Sequence, residues 1–339
     1  MDSLKWLTRI LWLCIPCIVV LGLILILGYY KVNNPPIRLT DFTPNGKESV
    51  NLSPNLWEAP DLNLLPSNAE GDQIRYGREL ISHTSQYLGP SGKVMKISNG
   101  MNCQNCHLEA GTVPYGNNFG EVATKYPVLR GRSGKVEQIE DRVNDCFQRS
   151  LNGEKLDENS DEMQAIVAYL KWVGKDINTK DSLIGLGRKP LRPLDRKADP
   201  IKGKTVFIQH CVECHGTKGE GKMLDNNLEW EYPPLYGPDS YNTGAGQFRL
   251  SMFAAFVKHN MPFGTTFQYP VLSDEEAWDV AAYVNSMNRP QMGLSGDYGN
   301  LAYKPFDYPF GPYLDTFPES QHKYGPFKPI QYSIKTLVE

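Results

Sequence analysis

The pentapeptide Cys103-Gln104-Asn105-Cys106-His107 returns as Cys211-Val212-Glu213-Cys214-His215, and no other feature narrows the fold so far. Two thiols at this spacing can add across the vinyl groups of one porphyrin. The adjoining histidine then reaches the iron from the same side, so each motif predicts a covalently attached heme c with His107 or His215 as proximal ligand. Zinc or redox dithiols are the competing reading. They leave unexplained why the motif occurs twice, each time followed by an amphipathic helix. A small chain that must wrap a porphyrin gains apolar surface from it, which favours short helices packed around the cofactor.

The surrounding pattern repeats with the motifs. Residues 71–88 read as a helix before Cys103, and Gly203, Val206 and Phe207 mark a shorter one running into Cys211. Further helical patterns cover residues 136–151 and 161–173. A closing helix begins at Ser273, where Ser273-Asp274-Glu275-Glu276 is a capping box that satisfies the orphan amides of the first turn. Val167-Ala168-Tyr169-Leu170 echoes Ala281-Ala282-Tyr283-Val284, and Gly77 echoes Gly203. The predicted fold is mainly α: two tandem cytochrome c-type domains with an N-terminal transmembrane helix and an irregular C-terminal wrap. The boundaries are an anchor at 1–31, a Pro/Asn-rich stalk at 32–70, a first domain at 71–178, a linker at 179–198, a second domain at 199–290 and a Pro/aromatic tail at 291–339.

The uncharged run from Ile10 to Tyr30 follows Lys5 and Arg9, and at about 1.5 Å per residue it would span roughly 30 Å, one hydrocarbon core. No small-residue cleavage site follows it, so the expectation is an uncleaved single-pass anchor in the cytoplasmic membrane. The two cations before the run place the N-terminus inside and the heme domains in the periplasm or an equivalent exported side. Seven cysteines are an odd number, which argues against a simple disulfide framework. Four belong to the motifs. Cys14 and Cys17 lie within the apolar run with no histidine after them, which leaves Cys146. The net charge of −3 provides no basic field, so nucleic acid is not expected as a partner.

The opposite face of each iron decides the chemistry. For the second heme, Met261 sits in the Pro-stiffened loop Asn260-Met261-Pro262-Phe263-Gly264, where its thioether can meet the metal, with Met223, Met252, Lys258 and His259 as competitors. The first heme has no methionine in a comparable loop. Its candidate is Cys146, on a helix where Arg142, Cys146, Arg149 and Ser150 fall within a stripe roughly 100° wide. Two guanidiniums in adjacent turns would keep a thiolate ionised, whereas an inert thiol would need neither. Each arginine has three readings at this point: substrate binding, heme-propionate contact, or a solvated helix face.

These residues resemble the diheme thiosulfate dehydrogenases. The resemblance runs from about Pro60 to Ile330. It is carried by Gly71-Asp72-Gln73-Ile74-Arg75-Tyr76-Gly77, the first heme motif, Arg142-Val143-Asn144-Asp145-Cys146-Phe147-Gln148-Arg149-Ser150-Leu151-Asn152-Gly153, the Met261 loop, and Gln321-His322-Lys323-Tyr324-Gly325-Pro326-Phe327. It implies two hemes c, His107/Cys146 ligation at the first iron, and anion binding by Arg132, Arg142 and Ser150. It also implies thiosulfate and tetrathionate as substrate and product, and a cytochrome or terminal oxidase as electron acceptor. The anchor and stalk are absent from the soluble members of the family. The chain also has Asn260 where some members carry a lysine directly before the methionine, although Lys258 is close. Two other readings use the same residues: the site run backwards as a tetrathionate reductase, and a pure electron relay in which Cys146 only tunes a potential.

Overall fold

Two glycines show how the halves are built. In a computed structural model that describes residues 55–178 and 182–338, helix α1 (Ala69–Ser82) crosses the closing helix of its half with Gly77 at the contact. A Cβ there would lie 1.9 Å from the Ala165 carbonyl oxygen, so only glycine lets the backbones approach this closely. In the second half, a Cβ on Gly203 would lie 1.8 Å from the Asp279 carbonyl oxygen. Four residues beyond each carbonyl stand Tyr169 and Tyr283, whose Cβ atoms complete the two notches. The sequence echo is therefore one packing solution used twice. The closing helices of the first half, α2 (Ile139–Arg149) and α3 (Asp161–Val173), are followed in the second half by α4 (Pro200–His210), α5 (Leu250–Asn260) and α6 (Asp274–Ser286).

Local chemistry sets the helix ends. Asn68 Oδ1 accepts the Gly71 amide at 2.9 Å, and the expected capping box forms at α6, where the Ser273 amide donates to Glu276 Oε2 at 2.8 Å. Inward faces form two cores. Leu80, Leu88, Phe147, Leu156, Met163 and Ile166 are buried in the first, and Phe207, Leu250, Leu272, Trp278 and Ile330 in the second. Each such side chain contributes about 1.5–3 kcal/mol on leaving water.

The structure departs from the sequence expectations at three places. The helix expected over 71–88 breaks at His83, because the Thr84 hydroxyl donates to the Leu80 carbonyl at 2.7 Å and accepts the Cys103 amide at 3.0 Å. The pattern at 136–151 is helical only from Ile139. Val136 pairs instead with Leu129 between strands β1 (Val128–Arg130) and β2 (Lys135–Glu137). The tail is only partly irregular. It forms α7 (Glu319–Tyr324) and α8 (Lys328–Val338), since Phe327 and Ile330 are spaced to enter the second core and the Phe327 ring meets Trp278 at 5.4 Å.

The joining segment lies against the first half. Ile184 bridges to Leu56, and Trp57 beside it is buried in the first core. The expected anchor at 1–31 lies outside the described residues, and among the described residues no helix is long and apolar enough to cross a membrane.

Candidate active site

At the first motif the chain turns back on the end of α1. Asn102 Oδ1 accepts the Ser85 amide at 2.8 Å, and the Thr84 hydroxyl meets Cys103 Sγ at 3.2 Å. The half-buried His107 ring stacks on Phe119 at 4.4 Å. Its Nδ1–H donates to the Asn117 carbonyl at 2.6 Å, while Nε2 has the Asn117 amide nitrogen at 3.3 Å. Burial pushes His107 down to about 3, so the ring is neutral at physiological pH. His215 repeats the arrangement, with Nδ1 on the Pro233 carbonyl at 2.8 Å and its pKa lowered by burial. Burial raises Cys103 to about 12, Cys106 to about 11 and Cys211 to about 12. Paired unionised thiols beside an imidazole oriented through Nδ1 form a donor set that fits heme c, to which Nε2 would supply the iron ligand.

Cys146, half-buried, lies close enough to Cys103, Cys106 and Arg142 to act on each electrostatically, and it is the first cause of the raised Arg142 guanidinium. Phe147 and Leu151 point into the core from the opposite face of α2, as the periodicity requires. Ser150 stands one turn on, its amide donating to the Cys146 carbonyl at 2.8 Å. The structure therefore brings Arg142, Cys146 and Ser150 together.

The arginines differ in what already holds them. Arg149 donates through Nε to Asp145, and through Nη1 and Nη2 to Asp297 at 2.9 and 2.8 Å. Two carboxylates thus hold all three of its nitrogens and make it a structural cation. Arg132 donates to the Gly244 carbonyl at 3.0 Å and lies 3.5 Å from Asp145 and 3.8 Å from Asp297. Arg142 reaches Asp145 at 3.4 Å. Burial pushes the Asp145 carboxyl up, but Arg132, Arg142 and Arg149 outweigh it and hold the group below the usual carboxylate range. The adjoining surface cleft, lined by Glu137, Asp141 and Asp145 with Lys135 and Lys155, is acidic on balance and suits an anion poorly.

At the second motif, Met261 follows the end of α5 and packs against the second core together with Cys211. Lys258 is engaged elsewhere: its Nζ donates to the Leu272 carbonyl at 2.5 Å and pairs with Asp274 at 3.0 Å. Met223 lies in the strand Lys222–Met223, and the Met252 carbonyl faces Arg188. His259 is buried with both ring nitrogens lacking a hydrogen-bond partner among the described residues.

Comparison with known proteins decides the relationship. Residues 93–178 match the family model for the SoxA/TsdA cytochrome c domain, and residues 201–288 match that for cytochrome c. Over 262 residues the chain is 36% identical to a thiosulfate dehydrogenase of Psychrobacter arcticus, covering 77% of this chain and 76% of that one. This chain belongs to the thiosulfate dehydrogenase family. It is an oxidoreductase that carries two hemes c. A thiosulfate dehydrogenase of Allochromatium vinosum is 37% identical over 235 residues, covering 68% of this chain and 83% of its own length. Among solved structures, a thiosulfate dehydrogenase (TsdBA) from Marichromatium purpuratum superposes with a TM-score of 0.64 at 32% identity. The match covers 70% of this chain and 51% of that chain.

Three residues of the site were missed in the sequence reading of this family member. Asp145 adjoins Cys146 and alternates with the arginines, so its role was open to inference. Asp297 and Arg188 were not, because each meets its partner across a fold that local spacing does not encode.

Proposed function

We propose that this protein joins two thiosulfate dianions into tetrathionate at the first heme, with His107 and Cys146 as its axial ligands. Each heme would supply one-electron acceptance, so the pair can hold both electrons released when the sulfur–sulfur bond forms. The observation that carries this reading is the α2 face that sets Cys146 one turn after Arg142, whose guanidinium meets a single carboxylate, Asp145 at 3.4 Å, among the described residues. Two dianions repel each other, and Arg142 and Arg132 offset that repulsion because neither fork is saturated by carboxylate. Ser150 adds a hydroxyl donor at the same helix end. Arg149, Asp145 and Asp297 hold the cluster in shape before any anion arrives.

His215 and Met261 would hold the second heme, which would pass the electrons to a cytochrome or terminal oxidase. The Ile10–Tyr30 run would hold the heme domains at the exported face of the cytoplasmic membrane, near that acceptor. The test is turnover of thiosulfate with ferricyanide by heme-loaded protein, followed by assay of tetrathionate. Absence of turnover in a fully loaded preparation leaves only the electron relay, and faster tetrathionate reduction than thiosulfate oxidation reverses the direction.

A further inference from the structure

We propose that Arg188, on the segment joining the two heme domains, is the cation that holds up the reduction potential of the first heme and positions His107 through Asn117. The inference rests on the Cys146-ligated reading of that heme. The joining segment is bound to the loop after the first motif: Tyr115 donates to the Gly185 carbonyl at 2.6 Å, Asn117 to the Gly187 carbonyl at 3.0 Å, and Gly187 to Asn118 Oδ1 at 3.1 Å. Gly187 adopts a φ of 60°, and the turn delivers the next side chain against Asn117. Arg188 Nε donates to Asn117 Oδ1 at 2.9 Å, while the main-chain oxygen of the same asparagine accepts His107 Nδ1–H. From the second domain, Gln247 Oε1 and the Met252 carbonyl lie 3.4 and 3.5 Å from Nη1.

Every one of these partners is neutral. Arg132, Arg142, Arg149 and Arg249 each have a carboxylate within ion-pair distance, whereas among the described residues Arg188 has none. Burial lowers its pKa to about 10, so it remains charged at neutral pH. A desolvated cation is costly unless a neighbouring negative charge offsets it. Cys146 lies within electrostatic reach of Arg188, and ionised on the iron that sulfur would supply such a charge. A thiolate-ligated heme becomes more negative on reduction, and a fixed cation in a low-dielectric site stabilises that state, which raises the potential.

The experiment is a potentiometric titration of the full-length holoprotein. The first heme is followed by its low-spin thiolate resonance and the second by its methionine-to-iron charge-transfer band. Arg188→Gln is expected to make the first heme's potential more negative, leave the second unchanged and retain the thiolate resonance. Arg188→Lys should fall between this variant and the wild type. Should Arg188→Gln fail to load heme, Gln247→Glu places a carboxylate against Nη1 and should shift the first potential in the same direction. An unchanged first potential in both charge-altering variants, or an equal shift at both hemes, overturns the proposal. If the wild type lacks the thiolate resonance but the shift persists, the Cys146 ligation fails and the Arg188 assignment stands.

Discussion

Arg142 and Arg149 lie two turns apart on one helix, and the folded chain gives them different work. Asp297, from the tail, takes both Nη atoms of Arg149, and Asp145 takes its Nε, so all three nitrogens are held by carboxylate. Arg142 has one carboxylate at 3.4 Å and the Cys146 sulfur. A charge-assisted hydrogen bond is worth about 1.5–3 kcal/mol, so Arg142→Ala should lower kcat/KM for thiosulfate roughly 10- to 100-fold with little loss of Tm. Arg149→Ala should do the reverse, lowering Tm because Asp297 is left buried without its cation. Steady-state kinetics and thermal melts of the two variants check the contrast, and equal effects on kcat/KM would remove it. The sequence placed Arg142, Cys146 and Ser150 on one stripe, since helical spacing encodes that. It left the task of Arg149 open because its partner lies 148 residues away.

At the level of elements, legibility followed the strength of the local signal. Helix α6 was readable from its serine cap and α3 from its helical pattern, and the two begin directly after Ser273 and Ser160. The strands β1 and β2 were not, because three alternating residues carry no more pattern than a helical turn. Proline density hid α7 and α8, although Phe327 and Ile330 stand at helical spacing. The paired glycines were visible as an echo, but their cause needed the packing. Gly77→Ala and Gly203→Ala should each raise helix propensity by about 1 kcal/mol. The clash with a backbone carbonyl opposes that gain. Overpacking typically costs about 1–3 kcal/mol, and a carbonyl held in a helix yields little, so both variants should melt at lower temperature. A variant as stable as the wild type would show that the helices can separate without cost.

For the molecule as a whole, acid should act through a few buried carboxylates that join distant segments. Glu229, in the second half, accepts His83 Nδ1 and Asn102 Nδ2, each at 2.9 Å, and Gln86 Nε2 at 2.5 Å, all from the first half. Burial raises its pKa, yet Gln86, His83 and Asn102 together hold it below the ordinary value, as the arginines do for Asp145. A depressed folded pKa contributes stability that is fully present above the unfolded value, about 4, and is lost as pH falls through the folded value. Stability should therefore drop as pH falls from about 4 downward. Glu229→Gln should lower Tm at neutral pH by leaving donors facing a donor, a cost of about 1–3 kcal/mol, and should flatten the acid limb of a Tm-versus-pH series. An unaltered acid limb would place the pH sensitivity elsewhere. The catalytic account depends on the Cys146 sulfur, proposed as the iron ligand opposite His107. Its most direct test is the electron paramagnetic resonance spectrum of the oxidised diheme protein, wild type beside Cys146→Ala, with thiosulfate turnover measured on the same samples. The account expects a low-spin thiolate signal in the wild type. In the variant that signal and turnover should both vanish, while both hemes stay attached and the second heme's signal is unchanged. Survival of the signal in Cys146→Ala, or undiminished turnover without that sulfur, would contradict it.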